Sequence, residues 1–490
     1  MSTALLILGF TPFDIWPLSL IALIPIIYYF KESQNTRDAI ARGIWMSLLF
    51  NTVKLYWAIY PLINLSGFSW PVAVGLMLIW GGFSNLQFIA LSLGLFLSKT
   101  FNASDSKQLK QIGIALILSV IYVTVDESSP TKIFQDTLGY NFLGNSEIRQ
   151  LAHWGGVSLL GIILFLINFF LSMSIDSWRA SRKFSTTLGL AAILLVGSLI
   201  AGYGTRVSFL TYRPGERIKV GVVQPDYRDL SHLSAKGIKP SDLIEELIGM
   251  SRKLLETPNI DLLVWPEAVV PVIYHTAESR RRTIVDKKID AFVQEVGIPL
   301  VLGIYEKKDE SIYNAITFIE PYEIGERQEV KVQRYRKNIL IPFGEYIPLI
   351  GNTSWAKEKF PNIGAFAVSD EQPIISIKIK SGRKLRIAPL LCYEAIFPRF
   401  VNGYHSKSPD VLLNLSNDSW FKDSTEPYQH LALTRMRAVE AGVPLIRSTR
   451  TGVSAAINRF GDITDSIGVY KKESQVFSVK ISTPESSHLR

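Results

Sequence analysis

LRIAPLLCYEAIF, residues 385–397, decides how the second half of the chain is read. From Ile387 to Leu391 it is apolar at every position, as a strand buried on both faces must be. It stops at Cys392, Tyr393 and Glu394. Cys392 is the only cysteine among 490 residues, which excludes an internal disulfide and a cysteine-rich zinc site. The end of a buried strand is also where α/β folds collect reactive groups from distant parts of the chain.

Working outward, similar short runs recur at 218–223, 260–265, 299–304, 313–319, 384–391, 411–415, 443–448 and 452–457. Helical patterns lie between them at 241–256, 280–296 and 426–441. Strands alternating with helices, several strands apolar throughout, predict an α/β sandwich with buried sheets over residues 218–484, then a polar tail at 485–490. No GxGxxG follows a strand and no Walker loop is present. A nucleotide site is therefore not supported, and no cofactor or metal is expected.

The first 206 residues are of another kind. The chain is 48% hydrophobic and 19% charged, with a mean hydropathy of +0.20, too apolar for an ordinary soluble enzyme. Six apolar blocks lie near 15–30, 43–63, 70–97, 112–125, 151–173 and 187–204. A span needs roughly 20 apolar residues, so a multispan α-helical membrane domain of about six spans is predicted for 1–206, with 207–217 as linker. A short stub at 4–10 and the turn-like GFTPFDIWP precede the first block, without the basic start or cleavage site of a signal peptide. The net charge of +9 forms no dense or aromatic-interleaved patch, so nucleic acid is not an expected partner and lipid headgroups are.

Loop charge orients the spans. Residues 31–42 carry Lys31, Arg37 and Arg42; residues 99–111 carry Lys99, Lys107 and Lys110; residues 176–186 carry Arg179, Arg182 and Lys183. Residues 64–69 are uncharged, and residues 126–150 are net acidic. The positive-inside rule puts the three basic loops in the cytoplasm and the sandwich domain on the opposite, extracytoplasmic side. A free thiol there is exposed to oxidation, which points to a reactive role. Lys54, Asn85 and Gln87 fall inside apolar blocks, where snorkelling or hydrogen bonds between helices are expected.

Three potent side chains stand at predicted strand ends: Glu267 in VWPE, Lys337 in YRKNILIPFGE, and Cys392. A thiol needs a base or a lowered pKa to attack a carbonyl. Glu267 can take the proton, and Lys337 can stabilise the thiolate and then the oxyanion. Glu345 and Glu394 can hold that lysine charged and oriented, with Tyr393 as a further supporting residue. Each has an ordinary reading too: a small core hydrophobe for the cysteine, a turn residue for the glutamate, a snorkelling chain for the lysine. The three contexts together outweigh those readings.

WPEAVVP (265–271), the Tyr335–Glu345 pattern and CYEAIF (392–397) resemble the Glu–Lys–Cys triad of the nitrilase, or carbon–nitrogen hydrolase, superfamily. GVVQPD (221–226), NLSNDSWF (414–421) and the run at 426–449 extend the resemblance. With a multispan N-terminal domain, PFGEY and SNDSWF, the chain is similar to the apolipoprotein N-acyltransferase family over nearly its whole length. The resemblance implies a nitrilase-like αββα sandwich in which Cys392 is the nucleophile, Glu267 the base and Lys337 the oxyanion stabiliser. It implies an enzyme of the bacterial inner membrane, working as a monomer with its catalytic domain periplasmic. Such an enzyme takes an acyl chain from a phospholipid donor onto the cysteine and passes it to the amine of a diacylglyceryl-lipoprotein acceptor. Trp355, Phe360, Trp420 and Phe421 are candidates for lids that exclude water, or for plain loop anchors. Against the family pattern, the start is a stub, the end is polar, and Lys422 stands where Gly is usual, so about six spans replace the usual eight. Three other readings remain: a membrane-tethered amidohydrolase, a silent lipoprotein-binding scaffold, and a Cys–His enzyme using His430.

Overall fold

The computed structural model describes the chain except residues 65, 101–106, 183–184, 213–214, 229–233, 277–278, 280, 325–326, 343, 347–352, 354–357, 359–365 and 483–490. Trp355 and Phe360 lie outside the described residues, as does the tail. The chain forms two compact units, Met1–Ile59 with Phe68–Leu210, and Tyr60–Gly67 with Thr211–Arg490.

The first unit is helical and the expected apolar blocks are helical, but among the described residues fewer helices than the six expected spans are long and apolar enough to cross a membrane. Among the described residues, Gln108–Ser128, Ile148–Ser181 and Thr186–Thr211 are each long and apolar enough to cross a membrane. A fourth candidate is the pair Trp70–Ser84 and Leu86–Lys99, bent by 42°. The break frees backbone groups that the neighbouring helix Thr36–Lys54 satisfies. Ser47 Oγ donates to the Gly81 carbonyl at 2.7 Å and accepts from the Asn85 amide at 3.1 Å, while Ser84 donates to Asn51 at 3.0 Å. The helix Thr36–Lys54 starts at Asn35, whose side chain caps the Asp38 amide. At its other end Lys54 is buried and does not snorkel. Its ammonium meets Asp136 at 2.7 Å and lies over the Phe10 and Phe50 rings. Lys132 pairs with Asp126 and lies 3.7 Å from Asp136. The acidic loop thus supplies the counter-charges that a buried lysine requires.

The second unit is an αββα sandwich. One six-stranded sheet runs β12-β1-β2-β3-β4-β5, built from Gly215–Gln224 (β1), Leu262–Val264 (β2), Leu300–Lys308 (β3), Ser311–Ile324 (β4), Arg327–Arg336 (β5) and Glu473–Ser482 (β12). The other runs β11-β10-β9-β8-β7-β6, from Ile375–Lys378 (β6), Lys384–Leu391 (β7), Val411–Ser416 (β8), Leu445–Thr449 (β9), Ser454–Ile457 (β10) and Ile463–Ile467 (β11). Between them lies a core that includes Val220, Val222, Val264, Phe318, Ile387, Leu391, Leu413 and Phe477. The helices Pro240–Leu254 and Ile284–Val296 bury Leu247, Ile289 and Phe292 against the outer face of the first sheet. The helix Glu426–Ala441 covers the second with Leu431 and Ala438. β1, β2 and β3 are parallel neighbours, as are β7, β8 and β9. Parallel strands of one sheet are left at the same edge, which gathers the loops after β7, β8 and β9, and Arg450 after β9 reaches the Ala268 carbonyl after β2 in the other sheet.

Candidate active site

Glu267 lies just past β2, after Trp265 and Pro266. Trp265 donates to the Val301 carbonyl at 2.8 Å and Gly303 to the Pro266 carbonyl at 3.1 Å, which carries the turn along the neighbouring strand. Gly303 is required there, because a Cβ would lie 2.4 Å from Glu267 Cα. Ala268, the next residue, has φ +43, a left-handed bend in the turn that carries the buried Glu267.

Lys337 is the first residue after β5, buried, and its amide donates to the Asn314 carbonyl at 2.9 Å. Its ammonium donates to Glu345 at 2.8 Å and to Glu267 Oε1 at 3.4 Å. Asn314 on β4 bridges the two carboxylates, donating to Glu267 at 2.7 Å and Glu345 at 2.9 Å. Burial pushes Lys337 down, but Glu345 and Glu267 outweigh it and raise the ammonium far above the usual lysine value. An ammonium has three N–H donors, and here it faces both oxygens of Glu345 and one of Glu267.

Cys392 ends β7 and opens a short turn with φ +47, a conformation that costs a non-glycine residue on the order of 1–3 kcal/mol. Its thiol is buried. Burial and then Glu267 push it well above the ordinary thiol value, while Lys337 and a hydrogen bond with Ser416 oppose them. The resting group is therefore S–H, and attack has to be coupled to removal of that proton. Tyr393 is buried with its ring 4.8 Å from Phe397.

Glu394 does not reach the lysine as the sequence led us to expect. It accepts from the amides of Leu391 at 2.7 Å, Asn338 at 2.6 Å and Ile339 at 3.3 Å, and from the Tyr335 hydroxyl at 2.7 Å. It fastens the segment after Lys337 to the cysteine turn through backbone donors. Glu345 does meet Lys337 and also accepts from the Ile341 amide at 2.9 Å.

Sequence reasoning passed over Asn314 and a buried polar network beyond the cysteine. His430 lies with Nε2 3.3 Å from the Cys392 carbonyl oxygen, and Asn414 Nδ2 is 3.4 Å from the same atom. Arg447 binds Asp418 at 2.9 Å and hydrogen-bonds Asn414. A buried arginine inside the apolar strand β9 was a readable signal of such a network. Cys392, Asp418 and His430 bring possible metal-ligating atoms within 4.8 Å of one another, but Arg447 already holds Asp418. Of the two described lid candidates, Phe421 is buried and Trp420 half-buried. Arg450 ties their loop to the glutamate turn, donating to Ser419 at 2.7 Å and to the Ala268 carbonyl at 3.2 Å. Lys422 has φ +51, which favours glycine, and its ammonium lies 5.8 Å from the Tyr60 ring centroid within the same unit.

Residues 219–484 match the carbon–nitrogen hydrolase family model, and residues 2–170 match the apolipoprotein N-acyltransferase N-terminal domain. The chain is 26% identical over 487 residues to an apolipoprotein N-acyltransferase of Bdellovibrio bacteriovorus, covering 96% of this chain and 85% of that one. It is 29% identical over 481 residues to that of Pseudomonas putida, covering 95% and 87%. A crystal structure of Saccharomyces cerevisiae Nit3, of the nitrilase superfamily, is 17% identical and covers 56% of this chain and 93% of that one, with a TM-score of 0.39. The chain belongs to the carbon–nitrogen hydrolase family, among the apolipoprotein N-acyltransferases.

Proposed function

We propose that this bacterial membrane protein is a lipoprotein N-acyltransferase that carries the acyl group as a thioester on Cys392. The observation that carries the reading is the buried set of Glu267, Lys337 and Glu345 beside a thiol held in a strained strand-end turn. In the first half-reaction the Cys392 sulfur attacks an ester carbonyl of a phospholipid while Glu267 takes the thiol proton. Lys337 meets the oxyanion with its ammonium, an interaction worth roughly 3–4 kcal/mol. Collapse forms the thioester and expels the lysophospholipid alkoxide, which takes the proton back from Glu267. In the second half-reaction the α-amine of a diacylglyceryl-cysteine attacks the thioester; Glu267 takes a proton from that amine and passes it to the sulfur as the amide forms and the C–S bond breaks.

The loop charges support an extracytoplasmic catalytic domain. Both substrates are anchored in lipid, and confinement to one membrane raises their effective concentration at the site. We take the acting species to be the monomer. Mass spectrometry of purified protein incubated with phospholipid is expected to show a hydroxylamine-sensitive acyl adduct on Cys392. No adduct with active lipid present, together with unchanged activity in Cys392→Ser, refutes the proposal. Release of ammonia from small amides without lipid would favour a hydrolase instead.

A further inference from the structure

We propose that His430 is a positioning residue whose doubly protonated ring pins the strained backbone at Cys392 through the cysteine's carbonyl oxygen. The inference rests on Cys392 being the reacting group.

Both ring nitrogens of His430 face acceptors. Nε2 lies 3.3 Å from the Cys392 carbonyl, which has no proton to offer, so this contact is a hydrogen bond only if Nε2 carries one. Nδ1 lies 3.3 Å from Asp418 Oδ1 and 3.4 Å from Glu426 Oε1. These are ion-pair distances, although neither contact is aligned as a hydrogen bond. Asp418 comes from the loop after β8, Glu426 from the same helix as His430, and Arg447 from β9 pairs with Asp418. Against Arg447 stand two carboxylates, and once both are ionised only a ring with both protons serves them and the Cys392 carbonyl at once. Burial and Arg447 push the ring's pKa down, Asp418 and Glu426 push it up, and the balance is upward. Glu426 is itself pushed up to about 7 by burial, so its carboxylate gains charge near neutral pH.

The pin holds the part of the chain that most needs holding. Cys392 has φ +47, and its carbonyl is also reached by Asn414, which hydrogen-bonds Arg447. A ring with one proton cannot serve both sides. The two carboxylates would claim that proton for Nδ1, and the Nε2 lone pair would then face the Cys392 carbonyl oxygen. Attraction would turn to repulsion at the turn that aims the sulfur. This is a role in placing the nucleophile, distinct from that of a histidine acting as its base.

Cys392 is the only cysteine, so iodoacetamide reports on it alone in the full-length protein in detergent. A simple thiol alkylates faster as pH rises. Here we expect the wild-type rate to rise with a shoulder where His430 loses its second proton, running about 10-fold lower above it than the trend below it would give. In His430→Gln the side-chain amide can donate at every pH, so the shoulder should vanish. His430→Leu, with no donor, should label about 10-fold more slowly at pH 7, the consequence of a misplaced sulfur. Superimposable profiles for wild type and His430→Gln, or wild-type labelling in His430→Leu, overturn the proposal. Should the variants fail to fold, the wild type decides alone: a rise with no shoulder below the thiol's own titration overturns it. Labelling needs no acyl donor, so a bent profile without an acyl adduct would sink the acyltransferase reading and leave this one standing.

Discussion

Gly303→Ala tests whether the position of Glu267 sets the rate. The added Cβ would lie 2.4 Å from Glu267 Cα, 2.8 Å from the Pro266 oxygen and 2.9 Å from the Ala268 nitrogen. Ordinary contact starts at 3.4 Å, so strand and turn must separate by about 1 Å. All three obstacles are backbone atoms and cannot rotate away. The turn is also bonded to this residue on both sides, through Gly303 to the Pro266 carbonyl and through Val269 to the Gly303 carbonyl. Overpacking of this kind costs about 1–3 kcal/mol of stability. A base displaced by about 1 Å costs on the order of 100-fold in rate. The assay is single-turnover acylation of Cys392 from phospholipid, expressed per folded molecule after a thermal melt, with iodoacetamide labelling as control. Acylation should fall about 100-fold while labelling changes little. Wild-type acylation per folded molecule refutes the argument, and an equal loss of labelling would place the damage at the cysteine.

Three further outcomes follow. Lys337→Met leaves Glu267 and Glu345 buried without their cation and should lower stability by about 3–5 kcal/mol. Adding Glu345→Gln should recover part of that, and a double variant no more stable than the single one refutes the pairing. Glu394 is pushed by burial up to about 7 against an ordinary 4.5, so its protonated form is the stabilising one. That contribution is complete below pH 4.5 and is lost as pH rises through about 7. Relative to Glu394→Gln, the wild type should lose up to about 3 kcal/mol between pH 4.5 and 8 in thermal melts, and a flat difference refutes this. Lys422→Gly relieves a left-handed residue and should stabilise by roughly 1 kcal/mol; a lowered melting temperature would show that the lysine side chain outweighs the strain.

Strands buried on both faces were legible because apolar residues dominate them, with Asn414 and Arg447 set among the apolar residues of β8 and β9. β7, β8 and β9 were read this way to within a few residues. β5, β6, β11 and β12, the four edge strands, were passed over, since each mixes charged or polar residues with apolar ones. RQEVKVQRYR and ESQVFSVKIS carry period 2 plainly, and it was the apolar run that drew attention. Glu267 and Cys392 could be singled out because each follows a predicted strand, and Lys337 by its place in YRKNILIPFGE. Asn314 could not, because its partners lie 47 and 31 residues away and only the fold brings them together. Glu394 shows a further limit: its type announced a charge partner, while its neighbours turned out to be backbone amides.

β1 pairs with β12 along its whole length, from Gly215 opposite Ser482 to Gln224 opposite Glu473. The earliest strand of the domain is thus partnered by the latest to be synthesised. All three reactive side chains have left the ribosome well before Glu473, yet until then β1 has a bare edge open to any passing strand. Closure at such sequence separation is slow and comes late. The order of synthesis therefore separates making the thiol from arming it. A chain halted short of β12 would carry the sulfur without a finished sandwich around it, and its open edge would mark it for chaperones or proteases before it could meet lipid as a catalyst.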